Sequence, residues 1–205
     1  MIEKKKDSKE VSQMILQAAR SLFAEHGVEA VSMHQIAKSI QIGQGTLYRR
    51  YANKSDLCMD LMNDTFDNLM DEIKQLLLPC ADQPVQFRLT VVFRRLLRFS
   101  YDQLEWLNVI RISKPCKPDD MDFFESPSYS KLNQLLLSLL SEAQSKKEII
   151  SLNPEFTAHL LISTMAPESL LYYSKVLAYP IEQIADNFCK TLIDPLFRPN
   201  QGEMA

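Results

Sequence analysis

Glycine is scarce, with four residues in a chain of 205. That scarcity leaves no glycine-rich phosphate loop and no dinucleotide fingerprint. Neither Gly-x-Ser-x-Gly nor His-Glu-x-x-His occurs, so the commonest hydrolase signatures are missing as well. The four cysteines, Cys58, Cys80, Cys116 and Cys189, stand far apart and form no Cys-x-x-Cys pair. The three histidines, His26, His34 and His159, are equally scattered. Zinc spacing is therefore absent, and neither a metal nor a cofactor is expected. The cysteines read as reduced, small apolar residues. No apolar run approaches the roughly 18 residues a bilayer span needs. The opening "MIEKKKDSKE" has lysines but no apolar stretch behind them, unlike a secretory signal. A cytoplasmic chain that does not engage membrane is expected. Strand-length alternation and internal repeats are also missing, which leaves an all-α chain.

What is present is helical period. Val11, Met14, Ile15, Ala18, Ala19, Leu22 and Phe23 lie on one helix face. His26 suits the last turn of that helix, and Gly27 supplies the left-handed residue past its end. Ser32 and Gln35 have capping-box spacing, which starts a second, short helix at Met33 with Ile36, Ala37 and Ile40 inward. A third short helix is predicted over about Gln44 to Tyr51. Asn53 caps a long fourth helix that keeps its period to Pro79. Beyond it, further helices are divided by proline: 84–101, 103–113, 128–146, one from Pro154 to about Val176 kinked at Pro167, and a last one after Tyr179. The proline-rich, acidic segment 113–128 reads as a connector.

Charge is unevenly placed. The net charge is −3, yet residues 1–56 carry +3 and the remainder −6. A basic head on an acidic body points to a polyanion at the head alone. Two short helices joined by a tight turn after a longer one make a helix-turn-helix. The stretch "IGQGTLYRRYANKSDL" then has a purpose. Gly43 and Gly45 allow a tight turn and close approach to a surface. Leu47 and Tyr51 anchor the short helix. Ser32, His34, Gln44, Gly45, Thr46, Tyr48, Arg49, Arg50 and Lys54 are the candidate DNA contacts, because hydroxyl, amide and cationic groups bond phosphates and base edges. Arg49 is the candidate base reader and Tyr48 a phosphate contact. Lys4, Lys5 and Lys6 suit either a minor-groove arm or a solubilising tail.

This constellation, over about Ile15 to Leu61 and reading "ILQAARSLFAEHGVEAVSMHQIAKSIQIGQGTLYRRYANKSDL" from Ile15 to Leu57, resembles the tetracycline-repressor (TetR) family of transcriptional regulators. The shared pattern is Ala-Ala, Leu-Phe and Gly on the first helix, a capped second helix ending in Ile-Ala, and Gly-Thr-Leu-Tyr on the third. An aromatic and a lysine then lead into the fourth. Tyr51 replaces a usual Phe, and Gln44 a frequent basic residue. Met33-His34 replaces a polar pair, which alters the bases read. The resemblance implies a DNA-binding domain at 1–52 and a helical effector-binding and dimerisation domain at 53–205. It implies a homodimer on a pseudo-palindromic operator in double-stranded DNA. A small-molecule effector would release the repressor through the long fourth helix.

For the body, Phe93, Trp106, Met165, Glu168 and Tyr172 are the candidate effector contacts, although ordinary core packing accounts for the same aromatics. Phe156, Leu160, Ile184, Phe188 and Leu192 form apolar stripes on the last helices and are the candidate dimer interface. Two rival readings fit the residues, besides an unmarked enzyme in the helical body. One is an activator or ligand-independent regulator. The other is an all-helical module for a hydrophobic metabolite, with a vestigial head.

Overall fold

The computed structural model describes residues 8–113, 124 and 126–198. Lys4 to Lys6, and most of the proline-rich segment 113–128, lie outside the described residues. The described chain is helical, and among those residues the only ladder pairing is one antiparallel bridge between Ile149 and Phe197. No described helix is long and apolar enough to cross a membrane.

The first compact unit holds the described residues up to Thr65, together with those from Glu105 to the end of helix α6. Its helices are α1 (Ser8–His26), α2 (Met33–Ser39), α3 (Gln44–Tyr48), the start of α4 (Lys54–Leu77), and α6 (Leu104–Ser113). The expected caps are present. Ser32 Oγ accepts the Gln35 N–H, and Gln35 returns its side chain to the Ser32 N–H. Asn53 Oδ1 accepts the Asp56 N–H at 2.9 Å. Gly27 takes φ +81° past the end of α1. Ile15, Phe23, Ile36, Leu47, Leu57 and Leu61 close one apolar core, which Val109 of α6 joins. Each such side chain contributes about 1.5–3 kcal/mol on burial.

The turn between α2 and α3 corrects one expectation. Gly43 and Gly45 both avoid the left-handed region, and the turn is made by Gln41 at φ +56°. The Gln41 N–H reaches Lys38 O at 3.2 Å, and the Ile42 N–H reaches Ala37 O at 3.0 Å. That pair of bonds is a Schellman closure. Lys147 at φ +58° closes the later Pro127–Ser145 helix in the same way. A chain short of glycine thus places ordinary side chains where each costs roughly 1–2 kcal/mol.

The second unit contains the described residues of 66–104 and those from 124 on. It has the end of α4, α5 (Val85–Asp102), α7 (Pro127–Ser145), α8 (Pro154–Ser163), α9 (Pro167–Leu171) and α10 (Ile181–Phe188). Both α9 and α10 run on into π-helical turns, Tyr172–Val176 and Cys189–Ile193. Pro167 does not kink one long helix; it begins a new one, with Ala166 extended before it. A proline is tolerated in the first turn, where its missing N–H has no partner to lose. Phe93 and Leu97 of α5, Leu136 and Leu140 of α7, and Ile193 are fully buried.

Around that core, arginines of α5 meet carboxylates. Arg95 holds Glu72 with two bonds, at 2.6 and 2.7 Å, and Arg98 meets Glu182 at 2.9 Å. Arg88 is buried and bonds Glu142, which Lys146 also reaches at 2.8 Å. The Arg88 bond, followed by Lys146, holds the Glu142 carboxyl down at about 2. A carboxylate depressed in the folded state stabilises above its ordinary value of 4.5 and loses that contribution as pH falls towards about 2. Glu142→Gln is therefore expected to be less stable than the parent at pH 7, with the gap closing between pH 4.5 and about 2. Urea titrations across that window check it; a gap independent of pH would remove the ion pair as its cause.

Candidate nucleic-acid interface

The helix α3 is short because it is an anchored platform. Leu47 is fully buried and Tyr51, just past the helix end, is nearly so. The Tyr51 hydroxyl donates to Asp60 Oδ2 at 3.0 Å. Burial, reinforced by the Asp60 charge, pushes this phenol up to about 12, so it stays protonated. The opposite face looks outward. Gln44, Gly45, Tyr48 and Arg49 are exposed there, with His34 of α2 beside them. The Gln44 amide bonds His34 Nδ1 and joins the two helices on that face. Arg49 Nη2 donates to Thr46 Oγ1 at 3.2 Å, which steers the guanidinium along α3. Tyr48 stands 48% exposed. A Cβ added at Gly43 or Gly45 would meet no atom within 4 Å. The backbone of α3 is thus bare towards solvent, and a second surface can come close to it.

Three of the candidate contacts are spent inside the unit. Lys54 does not project as a free cation. Its Nζ donates to Val28 O at 2.8 Å, Val31 O at 3.1 Å and Glu29 O at 3.2 Å. It clasps the segment between α1 and α2, whose carbonyls have no helical partner. Arg50 is half-buried, and its Nη1 bonds Ser12 Oγ of α1 at 2.5 Å. The Ser32 hydroxyl is used by its own cap. Helix α3 also ends at Tyr48, short of the expected Tyr51, so Arg49 is its C-cap and not a mid-helix residue.

The sequence reading missed Glu105. Its Oε1 accepts the Val28 N–H at 2.7 Å and sits 3.0 Å from where a Cβ at Gly27 would be. Trp106, beside it, meets Phe23 edge-on at 5.6 Å. Together they dock α6 on the end of α1. Nothing in a local pattern signals a bond across 77 residues.

The candidate effector contacts fall in both units. Trp106 packs within the first unit, while the other four belong to the second. Phe93 and Met165 are buried in that unit's core, and Glu168 and Tyr172 are exposed. The candidate dimer contacts also divide. Phe156 and Leu160 are exposed, at 67% and 46%. Ile184 is only 2% exposed and belongs to the core of its own protomer. Phe188 and Leu192 are half-buried, with Phe188 between Phe93 and Tyr173.

A capped two-helix unit on a packed three-helix head, with a bare, polar and cationic outer face, defines a helix-turn-helix protein. Residues 15–59 match the tetR family of bacterial regulatory proteins. An HTH-type transcriptional regulator of Staphylococcus aureus strain USA300 is 35% identical over 62% of this chain and 66% of its own length, just under two thirds. Among solved structures, Thermus thermophilus FadR, a TetR-family transcriptional repressor in complex with lauroyl-CoA, is 18% identical with a TM-score of 0.72. The similarity covers 93% of this chain and 97% of that one. A TetR-family regulator of Pectobacterium atrosepticum has the same TM-score at 15% identity, over 94% and 97% of the two chains. Through residues 15–59 the chain carries the DNA-binding region of the tetR family, and its fold is that of TetR-family regulators.

Proposed function

We propose that this chain is a transcriptional repressor, not an enzyme, that binds a pseudo-palindromic operator as a homodimer and leaves it when a small-molecule effector binds. The observation that carries the reading is the outer face of α3, where Gln44, Gly45, Thr46, Tyr48 and Arg49 stand over a buried Leu47. One such face makes too few contacts for a specific site, so two half-sites are needed. The division of labour is a head at 1–52 and an effector-binding body at 53–205. Helix α4 is the link, since it begins in one compact unit and ends in the other without a break. An effector that favours one setting of α4 would change the spacing of the two recognition helices.

Binding to an operator selected from random duplexes tests this. Tyr48→Ala is expected to weaken binding on any duplex with the salt slope unchanged, because its hydroxyl is a neutral phosphate donor. Arg49→Ala is expected to cost about 1–3 kcal/mol on the selected site only. Equal loss on random DNA would reassign Arg49 to the backbone. Unchanged binding in both would take α3 out of the interface.

Gly45→Ala separates fold from function. The added methyl meets open space in the free protein. In a helix it should stabilise by about 0.5–1 kcal/mol. Against an apposed phosphate backbone it should cost roughly 1–3 kcal/mol of affinity. A raised melting temperature with undiminished operator affinity would show that DNA does not approach this backbone.

A further inference from the structure

Both π-helical turns of the second unit, and its left-handed Ala178 at φ +56°, border one cleft. Tyr173 comes from the first π turn and Thr191 from the second. Tyr179 follows Ala178, and its N–H donates to Tyr173 O at 3.0 Å. Thr164, Ile184, Asn187, Phe188 and Leu192 complete the walls, and the cleft holds about 310 Å³. That is the small end of the range for ligand sites. Inserted π turns and left-handed non-glycine residues are costly, and they concentrate at functional sites. Here three such features converge where a single core-packing role would need none.

The chemistry of the walls restricts the occupant. Phe188 meets Tyr173 edge-on at 5.7 Å, 80° between planes, and Phe93 at 6.3 Å. Aromatic edges and faces in this arrangement favour another ring. No lining residue is charged. Arg94 of α5 is already paired with Asp186, next to the lining residue Asn187. An anionic or cationic ligand would therefore be desolvated without a counter-charge. Polar groups are present but neutral. Thr164 spends its proton on Leu161 O, 2.7 Å away, and so offers only an acceptor. The Asn187 amide offers both a donor and an acceptor.

We propose that this cleft binds a small, uncharged aromatic molecule carrying a hydroxyl or N–H donor. The site deepens the effector part of the proposed function by naming the ligand class; Phe93 and Tyr172 of the five residues expected from sequence touch its wall residues, and Ile184, Phe188 and Leu192 of the candidate dimer contacts line it. The rival occupant is a second copy of the chain, because the exposed Phe156, Leu160, Tyr172 and Val176 belong to the same unit.

The test uses 2-naphthol as an uncharged probe and 2-naphthalenesulfonate as its charged counterpart, with binding to the full chain followed by equilibrium dialysis. Saturable binding of one 2-naphthol per chain, with the sulfonate at least about tenfold weaker, is expected. Thr191→Trp, at an exposed position, should fill the cleft and abolish binding without changing the melting temperature. If it lowers that temperature, Asn187→Trp, one turn earlier on the same wall, replaces it. No saturable binding by the parent, or binding retained in the filled variant, overturns the proposal. So does a dimeric parent that excludes the probe while a monomeric variant takes it up, since a second copy then fills the cleft. None of these outcomes bears on operator binding, which the α3 variants test separately.

Discussion

Phe156→Asp is expected to give a folded monomer whose affinity for the selected operator falls to about the level of random DNA. Phe156 is 67% exposed in the protomer, and Tyr172 and Val176 of the same unit are comparably bare. Solvated aromatics and aliphatics at this density mark a surface that is normally covered. On a two-fold interface the substitution acts twice. Each copy buries an unpaired carboxylate, at a cost of several kcal/mol. In the isolated protomer the same position is wet, so its stability should move by no more than about 0.5 kcal/mol. The loss of operator affinity follows from the loss of the second half-site, and specific complexes exceed non-specific ones by about 10³ or more. Sedimentation velocity and fluorescence anisotropy check both halves. A variant that remains dimeric and binds normally would place the two-fold contact elsewhere. Phe188 is the poorer test. It wedges between Phe93 and Tyr173, so a charge there damages the protomer's own core.

Lys54→Met is expected to destabilise the first unit by about 2–3 kcal/mol and to weaken binding to every DNA sequence. Methionine keeps the apolar stem and removes three donors. The carbonyls of Val28 and Val31 are in part-buried bonds and would lose a charged partner. Hydrogen bonds to charged groups are worth about 1.5–3 kcal/mol, and stranded buried acceptors add to the loss. The segment they hold leads directly into α2, whose Ser32 cap begins one residue after Val31. Faster hydrogen exchange in α2 and α3, with the second unit's amides unchanged, is the direct readout. Full stability with a salt slope lower by one would return Lys54 to the phosphate backbone.

Local chemistry was legible at the sequence level because its partners are close along the chain. The Ser32–Gln35 box, the Asn53 cap, the Gly27 terminus and the buried faces of α1 and α2 each involve residues within one or a few turns. The same holds for the head's charge and for Leu47 and Tyr51 under a polar outer face. Those residues determine that the chain is all-α and begins with a helix-turn-helix.

Side-chain partners were not legible where a long residue had more than one within reach. Lys54 and Arg50 are cations beside a recognition helix, and phosphate was one destination for each. Only the fold brings the Val28 carbonyl and the Ser12 hydroxyl, 26 and 38 residues away, within reach of them. The last helices show the same limit for apolar groups. A hydrophobic period marks a face that must be covered, but not what covers it. Ile184 is covered by its own protomer, whereas Phe156 stands 67% exposed among the described residues. Helix period, caps and charge placement were thus determined by the sequence, since they depend on neighbours a few residues apart. The tertiary structure alone decided which cations remain free for a polyanion and which apolar faces remain bare for a partner. Both depend on contacts that exist only after distant segments have packed.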